Sequence, residues 1–331
     1  KQDGLVASVG REVKENIAIG NAALFGGTLA GTDDLIGNIA IGHLAMTSTG
    51  TNDYTGTIAI GHSALTALTS GAGNTAVGYT ALSACQTGAD NVVVGYQAGE
   101  DLTGSNCTFI GAGAGMQSTA GNNTAVGHDA GGSMTTWDSN TAIGKQALQG
   151  QSGQAMNYCT AVGASALASG SITTNSNGST AVGHAAGTAI TAGTHSEENT
   201  LVGHSSGGAL TVGDGNVAVG AFALDAEDQG HKSTAIGYNA LTAQVSGSDV
   251  DVYNTAVGYQ SGTAITTGIS NTAIGGNALA TATTALNNTA IGKYAMISVK
   301  AGVAVDGCVA IGASALTGNS SNTTGKNGTV A

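Results

Sequence analysis

A glycine preceded by Val or Ile recurs along almost the whole chain, and this repeat restricts the fold more than any other feature. The motif reads Asn-Thr-Ala-(Val/Ile)-Gly-x-x-Ala-(Leu/Gly) and returns after 16 to 22 residues, separated by Gly/Ser/Thr/Asp-rich stretches typical of loops. We call this glycine the anchor glycine and predict a repeat turn at each of its seventeen copies. The anchor glycines are Gly20, Gly42, Gly61, Gly78, Gly95, Gly111, Gly127, Gly144, Gly163, Gly183, Gly203, Gly220, Gly237, Gly258, Gly275, Gly292 and Gly312.

Each motif position, followed through the copies, forms a column. The Val/Ile column directly precedes the anchor glycine, and we predict it to be the structural core of the repeat. Its members are Ile19, Ile41, Ile60, Val77, Val94, Ile110, Val126, Ile143, Val162, Val182, Val202, Val219, Ile236, Val257, Ile274, Ile291 and Ile311. Before it stand an Ala column, with Ala in fourteen copies, and a Thr column, with Thr in eleven.

These segments are rich in β-branched residues and too short for helices, so they are predicted to be strands. Side chains alternate along a strand, so the Thr and Val/Ile columns share one face and the Ala column points the other way. Both faces are apolar or nearly so, which is typical of a strand buried on both sides. The anchor glycine and the small residues after it fit a tight corner. We therefore predict a β-solenoid in which one face lines the coil and a partner surface covers the other.

The composition fits such a coil better than an ordinary enzyme domain. The chain has 55 glycines and no proline, and only 8% of its residues are charged, against about 25% in typical domains. We expect the repeat solenoid over residues 16–316, an N-terminal cap or junction over residues 1–15, and a C-terminal polar cap or tail over residues 317–331. Closed self-association would bury the second apolar face, and periodicity alone leaves open whether two or three copies assemble. Junctions at both ends would also allow a head-to-tail filament.

The motif resembles repeats of known fibre proteins. Asn16-Ile17-Ala18-Ile19-Gly20 and Asn216-Val217-Ala218-Val219-Gly220 are similar to the head repeat of trimeric autotransporter adhesins. The longer motif also resembles repeats in bacteriophage tail-fibre and other virion fibre proteins. Both resemblances imply a left-handed parallel β-roll in a homotrimer. The uneven repeat lengths and the lack of a membrane anchor depart from the autotransporter pattern and favour the phage-like group.

The four cysteines are predicted to be buried thiols. Three occupy the first motif position, where Asn is commonest: Cys107, Cys159 and Cys308. Cys85 falls in a loop segment. The three copies are not neighbours in the stack, so their separation exceeds the roughly 7 Å limit for a disulfide. No pair has the spacing of metal ligands.

Five histidines directly follow an anchor glycine: His43, His62, His128, His184 and His204. His43 and His62 lie in consecutive copies, as do His184 and His204, so each pair is expected to stack. We predict a ladder of planar side chains, with a zinc or anion site on a threefold axis as the alternative.

Acidic residues lie mostly between the motifs, where they favour solubility. Asp249-Val250-Asp251 offers two carboxylates on one side of an extended stretch, so calcium in the loops is an alternative. Apart from this, we predict no metal site, no cofactor and no catalytic residue. No serine stands in a Gly-x-Ser-x-Gly elbow, and the Gly-rich stretches belong to the repeat. The chain is therefore not expected to be an enzyme.

The expected function is a structural or adhesive fibre segment of a phage tail fibre or virion fibre that spaces or presents host-binding surfaces. The alternatives are the head of a bacterial trimeric surface adhesin and, because of the Thr column, an ice-binding solenoid. The expected location is the virion or the cell surface, and the expected partners are further copies of the chain and a host glycan or protein. With 8 basic and 20 acidic residues, no binding to nucleic acid is expected. No membrane insertion is expected, since no apolar run approaches about 18 residues.

Overall fold

The computed structural model describes residues 13–25, 35–48, 54–150, 156–168, 177–190, 197–297, 305–317, 328 and 330–331. The chain divides into two compact units, Lys1–Cys159 and Thr160–Ala331. The predicted segment 1–15 lies outside the described residues except for residues 13–15, and most of segment 317–331 lies outside them too. No helix of the described part is long and apolar enough to cross a membrane.

The first unit contains two sets of parallel strands. The two-residue strands form a small three-stranded sheet: β1 (Val13–Lys14), β3 (Leu35–Ile36) and β5 (Tyr54–Thr55). The three-residue strands coincide with the motif: β2 (Ile17–Ile19), β4 (Ile39–Ile41), β6 (Ile58–Ile60), β7 (Thr75–Val77), β8 (Val92–Val94), β9 (Thr108–Ile110), β10 (Thr124–Val126) and β11 (Thr141–Ile143).

The second unit repeats this organisation. A small additional ladder pairs β16 (Gly230–His231) with β18 (Val250–Asp251). The motif strands are β12 (Thr160–Val162), β13 (Thr180–Val182), β14 (Thr200–Val202), β15 (Val217–Val219), β17 (Thr234–Ile236), β19 (Thr255–Val257), β20 (Thr272–Ile274), β21 (Thr289–Ile291) and β22 (Val309–Ile311).

Consecutive motif strands of each unit pair in parallel with equivalent residues opposite one another. Thr124, for example, lies between Thr108 and Thr141. Each such pairing closes one turn of chain, so each unit is an all-β parallel solenoid, and the described residues contain about 14 turns and no helix. The prediction of a β-solenoid is confirmed. Because the register is exact, each sequence column becomes a row of stacked side chains.

The Ala column lines the inside of each coil. From Ala40 onward its members are buried, including the larger residues Val93, Phe109 and Leu201. The Thr and Val/Ile columns point outward, so the predicted alternation of faces is confirmed. The prediction that the Val/Ile column forms the core of the repeat is wrong for the single chain. Every one of the column's members is partly or fully exposed, because the alternation of side chains along the strand places the Ala column on the inner face instead.

A second buried column lies seven residues after the anchor glycine, and we call it the distal core column. It contains aliphatic or sulfur-containing side chains such as Leu68, Leu102, Met134 and Ile265. Cys85 belongs to it and is fully buried, although it lies in a loop segment between strands, as predicted. The variable stretches hid this column, because its residue type changes from copy to copy.

The anchor glycines are required by the approach of neighbouring turns. Gly78 has φ of 144°, and a β-carbon on it would stand 2.6 Å from the carbonyl carbon of Gly95. Real β-carbons do not come so close to backbone, so a side chain would push the turns apart. The same contact recurs from one anchor glycine to the next in both units, and it explains why this position does not vary.

Four residues after the anchor glycine, some copies have Leu and others have Gly. The two kinds of copy differ in how the inside of the coil is filled. Leu82 adopts a left-handed φ of 55°, which costs a non-glycine residue about 1–2 kcal/mol. Gly115 adopts a φ of 58° at the same position, and a β-carbon there would collide with the ring of Phe109. Gly187 and Gly207 similarly lie against Leu201. Glycine therefore stands where a large neighbour fills the space that Leu takes elsewhere.

The first motif position forms a buried hydrogen-bonded row. The Asn91 backbone N–H donates to Asn74 Oδ1 over 3.1 Å, and Asn91 Nδ2 donates to the Gly104 carbonyl over 3.0 Å. Asn271 repeats both contacts, with Asn254 Oδ1 at 2.9 Å and the Ala285 carbonyl at 2.7 Å. The row satisfies buried backbone groups of successive turns, which otherwise would cost about 1–3 kcal/mol each.

Candidate functional site

The outer face of the motif strands is the most extended candidate surface. It carries the Thr and Val/Ile columns, stacked in register within each unit. Ile110 and Ile143 in the first unit are 41% and 40% exposed, and Ile236 in the second is 38% exposed. Single exposed aliphatic residues are ordinary, whereas a continuous apolar row marks an interaction surface. The predicted second apolar face therefore exists on the outside of each coil.

A ladder of rings follows the anchor glycines in the first unit. The ring centroids of His43 and His62 lie 5.0 Å apart, those of His62 and Tyr79 5.1 Å apart, and those of Tyr79 and Tyr96 5.4 Å apart. The predicted stacking of His43 with His62 is confirmed. The rings face one another along the row, so their edges rather than their faces point away from the chain.

The second unit contains an equivalent ladder with one unexpected member. His184 and His204 stack at 5.2 Å, as predicted. Phe222, two residues after its anchor glycine, continues the row at 5.0 Å from His204 and 6.1 Å from Tyr238. Tyr259 then stacks on Tyr238 at 5.7 Å. The sequence analysis missed Phe222 because the column position of this copy is Ala221, although a bulky ring beside it was a usable signal.

Zinc at these histidines stays the alternative to a simple ladder. Within one described chain, no group of three or more His, Cys, Asp or Glu side chains has the arrangement of a metal site. Such a site would lie on the threefold axis of a trimer and would draw its ligands from several copies. His128, the remaining exposed histidine of the column, has Nδ1 2.9 Å from Asp129 Oδ2.

All four cysteines are buried and in the thiol form. Burial raises the pKa of Cys107 to about 11, against weaker lowering by the Asn123 backbone N–H. Its Sγ donates to the Ala120 carbonyl over 3.6 Å, in the way that Asn side chains of the row donate to loop carbonyls. Cysteine at the first motif position therefore acts as a short substitute for asparagine, and a protonated buried thiol is a poor nucleophile.

The two carboxylates singled out for calcium have separate partners. Asp249 Oδ1 is hydrogen-bonded to His231 Nε2. Asp251 accepts from Lys232 Nζ, 2.9 Å away, and from Tyr253 Oη, 2.6 Å away. The Lys232 hydrogen bond, followed by that of Tyr253, holds the pKa of Asp251 below its usual range. Calcium in this loop stays an alternative, and it would have to displace these contacts.

A buried carboxylate interrupts the distal core column of the second unit. Glu227 and Gln244 occupy positions where Leu210 and Ile265 stand in the flanking copies, and both are fully buried. Glu227 Oε1 accepts from the backbone N–H groups of residues 228, 229, 230 and 246, at 2.8–3.1 Å. It also accepts from Ser246 Oγ over 2.7 Å. Sequence reasoning missed this network, although aligning the distal core column would have shown two polar residues in an apolar row.

The Glu227 carboxylate stays charged because of these donors. Burial is the largest single influence and raises its pKa, but the hydrogen bonds from Ser246, Gln244 and Gly230 together outweigh it. The pKa of Glu227 is therefore lowered. Buried charges are tolerated only when their hydrogen-bonding capacity is met, and here one carboxylate fixes two successive loops.

A pocket of about 290 Å³ lies beside this network, lined by Asp214, His231, Lys232, Asp249, Val250 and Asp251. Comparison with protein-family models found no match, and comparison with curated proteins found none either. The assignment of a function therefore depends on the repeat and on these surfaces.

Proposed function

We propose that the chain is a structural or adhesive fibre segment, part of a bacteriophage tail fibre or virion fibre that spaces or presents host-binding surfaces. In this proposal the seventeen repeats form a left-handed β-roll, and three copies assemble in parallel. The observation that carries the proposal is the outward-facing row of Thr, Val and Ile side chains on the motif strands. The proposed chain has no catalytic role and no cofactor.

Self-association is the simplest way to cover this outer face. Identical columns repeat from turn to turn, so a second copy in the same register meets equivalent side chains along the whole row. The columns hold small and β-branched residues, which allow close approach. A threefold rather than a twofold arrangement is supported by the resemblance of the motif to trimeric fibre repeats.

The ring ladders and loops remain available to partners in this proposal. A host-surface glycan or protein is the proposed target, and the virion or the cell surface is the proposed location. The acidic balance of 20 to 8 does not favour nucleic acid. The head of a bacterial trimeric adhesin would use the same assembly, and a membrane-anchor segment in the full-length gene would favour that alternative.

Ice binding is a second candidate, supported by one observation. Thr124 and Thr141 are partly exposed and in register on the outer face, as are Thr255 and Thr272 in the second unit. A regular hydroxyl and methyl array of this kind could order water if the face were uncovered. An assay of ice recrystallisation with the purified protein decides the point, since absence of activity removes this candidate.

Engineered cysteines test the proposed assembly directly. Ile236 and Val250 are similarly exposed, at 38% and 41%, but only Ile236 lies on the outer face of the motif strands. In an Ile236→Cys variant, oxidation should link two chains into a dimer on a non-reducing gel, because equivalent residues meet across the interface. The matched Val250→Cys variant should stay uncrosslinked.

The outcome distinguishes the proposal from a solitary coil. If Ile236→Cys stays unlinked and its thiol is modified as readily as that of Val250→Cys, the outer face is open and the proposed assembly is wrong. The native cysteines do not interfere because they are buried.

A further inference from the structure

His231 is a buried imidazole placed between two carboxylates. Its side chain is 6% exposed. Nδ1 lies 2.7 Å from Asp214 Oδ1, and Nε2 is hydrogen-bonded to Asp249 Oδ1. The three residues belong to three successive turns of the second unit. The β16–β18 ladder, which pairs His231 with Asp251, holds the imidazole in this position.

The Nδ1 atom of His231 has both a donor and an acceptor beside it. The Asp214 backbone N–H lies 3.0 Å from Nδ1, and the carboxylate of the same residue lies at 2.7 Å. A neutral imidazole protonated at Nε2 accepts from the N–H group. An imidazolium instead donates from Nδ1 to the carboxylate. Each charge state thus has partners at both ring nitrogens, and for these contacts the two states differ at Asp214.

The remaining charged groups nearby have partners of their own. Asp251 is paired with Lys232 and with the Tyr253 hydroxyl. Glu227 is bound by the donors of its loop network, including the Gly230 backbone N–H at 2.8 Å. Asp214 and Asp249 are in direct contact with the ring nitrogens of His231.

We infer that His231 is a pH-sensitive latch. When protonated, it binds Asp214 and Asp249 together and ties three turns of the solenoid to one another. When it loses the Nδ1 proton, the Asp249 contact persists, Nδ1 accepts the Asp214 backbone N–H, and the Asp214 carboxylate is released into the adjacent pocket. Histidine is suited to this role because its charge changes between about pH 5 and pH 8. As pH rises, the pocket consequently loses the positive charge of the imidazolium and gains one free carboxylate.

Ring-nitrogen NMR on the intact protein labelled with ¹⁵N-histidine tests the latch. The spectrum is recorded from about pH 5 to about pH 9, and the His231 signals are identified by their loss in His231→Gln. Both ring nitrogens should be protonated at the acidic end and only Nε2 at the basic end. The Asp214 backbone amide should shift with the same midpoint.

Asp214→Asn provides the quantitative test. It retains the size and an acceptor oxygen but removes the charge, so His231 should release its Nδ1 proton about 1 pH unit lower, a roughly tenfold loss of proton affinity. His128→Gln, which changes the exposed His128–Asp129 pair, should leave the His231 titration unchanged. A neutral His231 protonated at Nδ1, an Asp214 amide that does not follow the titration, or an unchanged midpoint in Asp214→Asn would each overturn the inference.

Discussion

Gln244 donates from Nε2 to Oε2 of Glu227 over 2.7 Å, and neither residue is exposed to solvent. Gln244 also binds Ser233 and Asn254, so the carboxylate is joined to the buried polar row of the first motif position. Glu227 and Gln244 thus form a polar pair in the distal core column, at positions of two neighbouring copies where apolar residues are usual. A single polar replacement would leave a buried group without a partner.

Replacement of Glu227 by Gln should destabilise the second unit. The amide turns a donor toward groups that also donate, and we expect a loss of about 1–3 kcal/mol in the free energy of unfolding at neutral pH. Glu198→Gln is the matched control at an exposed position and should change stability by less than about 0.5 kcal/mol. Denaturant unfolding measures both.

The same comparison has a predicted pH dependence. The pKa of Glu227 is lowered in the folded chain. Its carboxylate therefore contributes fully to the stability of the fold at pH values above its pKa in the unfolded chain, about 4.3. This stabilisation is lost as pH falls through the lower pKa of the folded chain. Wild-type protein should therefore lose stability below about pH 4 relative to Glu227→Gln. An unchanged difference between neutral and strongly acidic pH would contradict a charged, hydrogen-bonded Glu227.

Gly78→Ala should disrupt the first unit, because the new β-carbon collides with Gly95 and the backbone φ of 144° is unfavourable for alanine. We expect the free energy of unfolding to fall by about 3 kcal/mol or more. Gly56→Ala is the control: its φ is 63°, and a β-carbon there meets nothing within 4 Å, so a loss of about 1 kcal/mol is expected. Equal losses in thermal unfolding of the two variants would show that stacking of the anchor glycines is not the cause.

Phe109→Ala should lower the free energy of unfolding by about 3–5 kcal/mol, because the ring is fully buried and fills the space left by Gly99 and Gly115. Phe222→Ala removes the same ring from the surface ladder and should cost only about 1 kcal/mol. Denaturant titration compares the two losses. Similar values would mean that the exchange of Leu for Gly around Phe109 does not reflect packing.

The repeat determined the strands and which columns share a face, since side chains must alternate along a strand. The assignment of Ile236 and its column to the core failed because both faces are apolar, and hydrophobicity does not distinguish an inner face from an outer one. Glu227 and His231 were missed for a different reason. They lie in stretches of variable length, where the partners Gln244 and Asp249 become neighbours only through the stacking of turns.

The cysteines should resist modification in the folded protein. Burial raises the pKa of both Cys85 and Cys107, so little thiolate forms near neutral pH. A thiol reagent at about pH 8 should label none of the four native cysteines until denaturant is added. Val250→Cys supplies the exposed control and should react at once. Rapid labelling of Cys107 in the native state would show that the first motif position is open to solvent.

The central proposal is that copies of the chain cover one another's outer strand faces, and the mass in solution tests it most directly. Sedimentation equilibrium should give about three times the chain mass of 31.7 kDa, with no dependence on loading concentration. A single species at 31.7 kDa would contradict the proposal, because the apolar rows of Thr, Val and Ile would then face water along every turn.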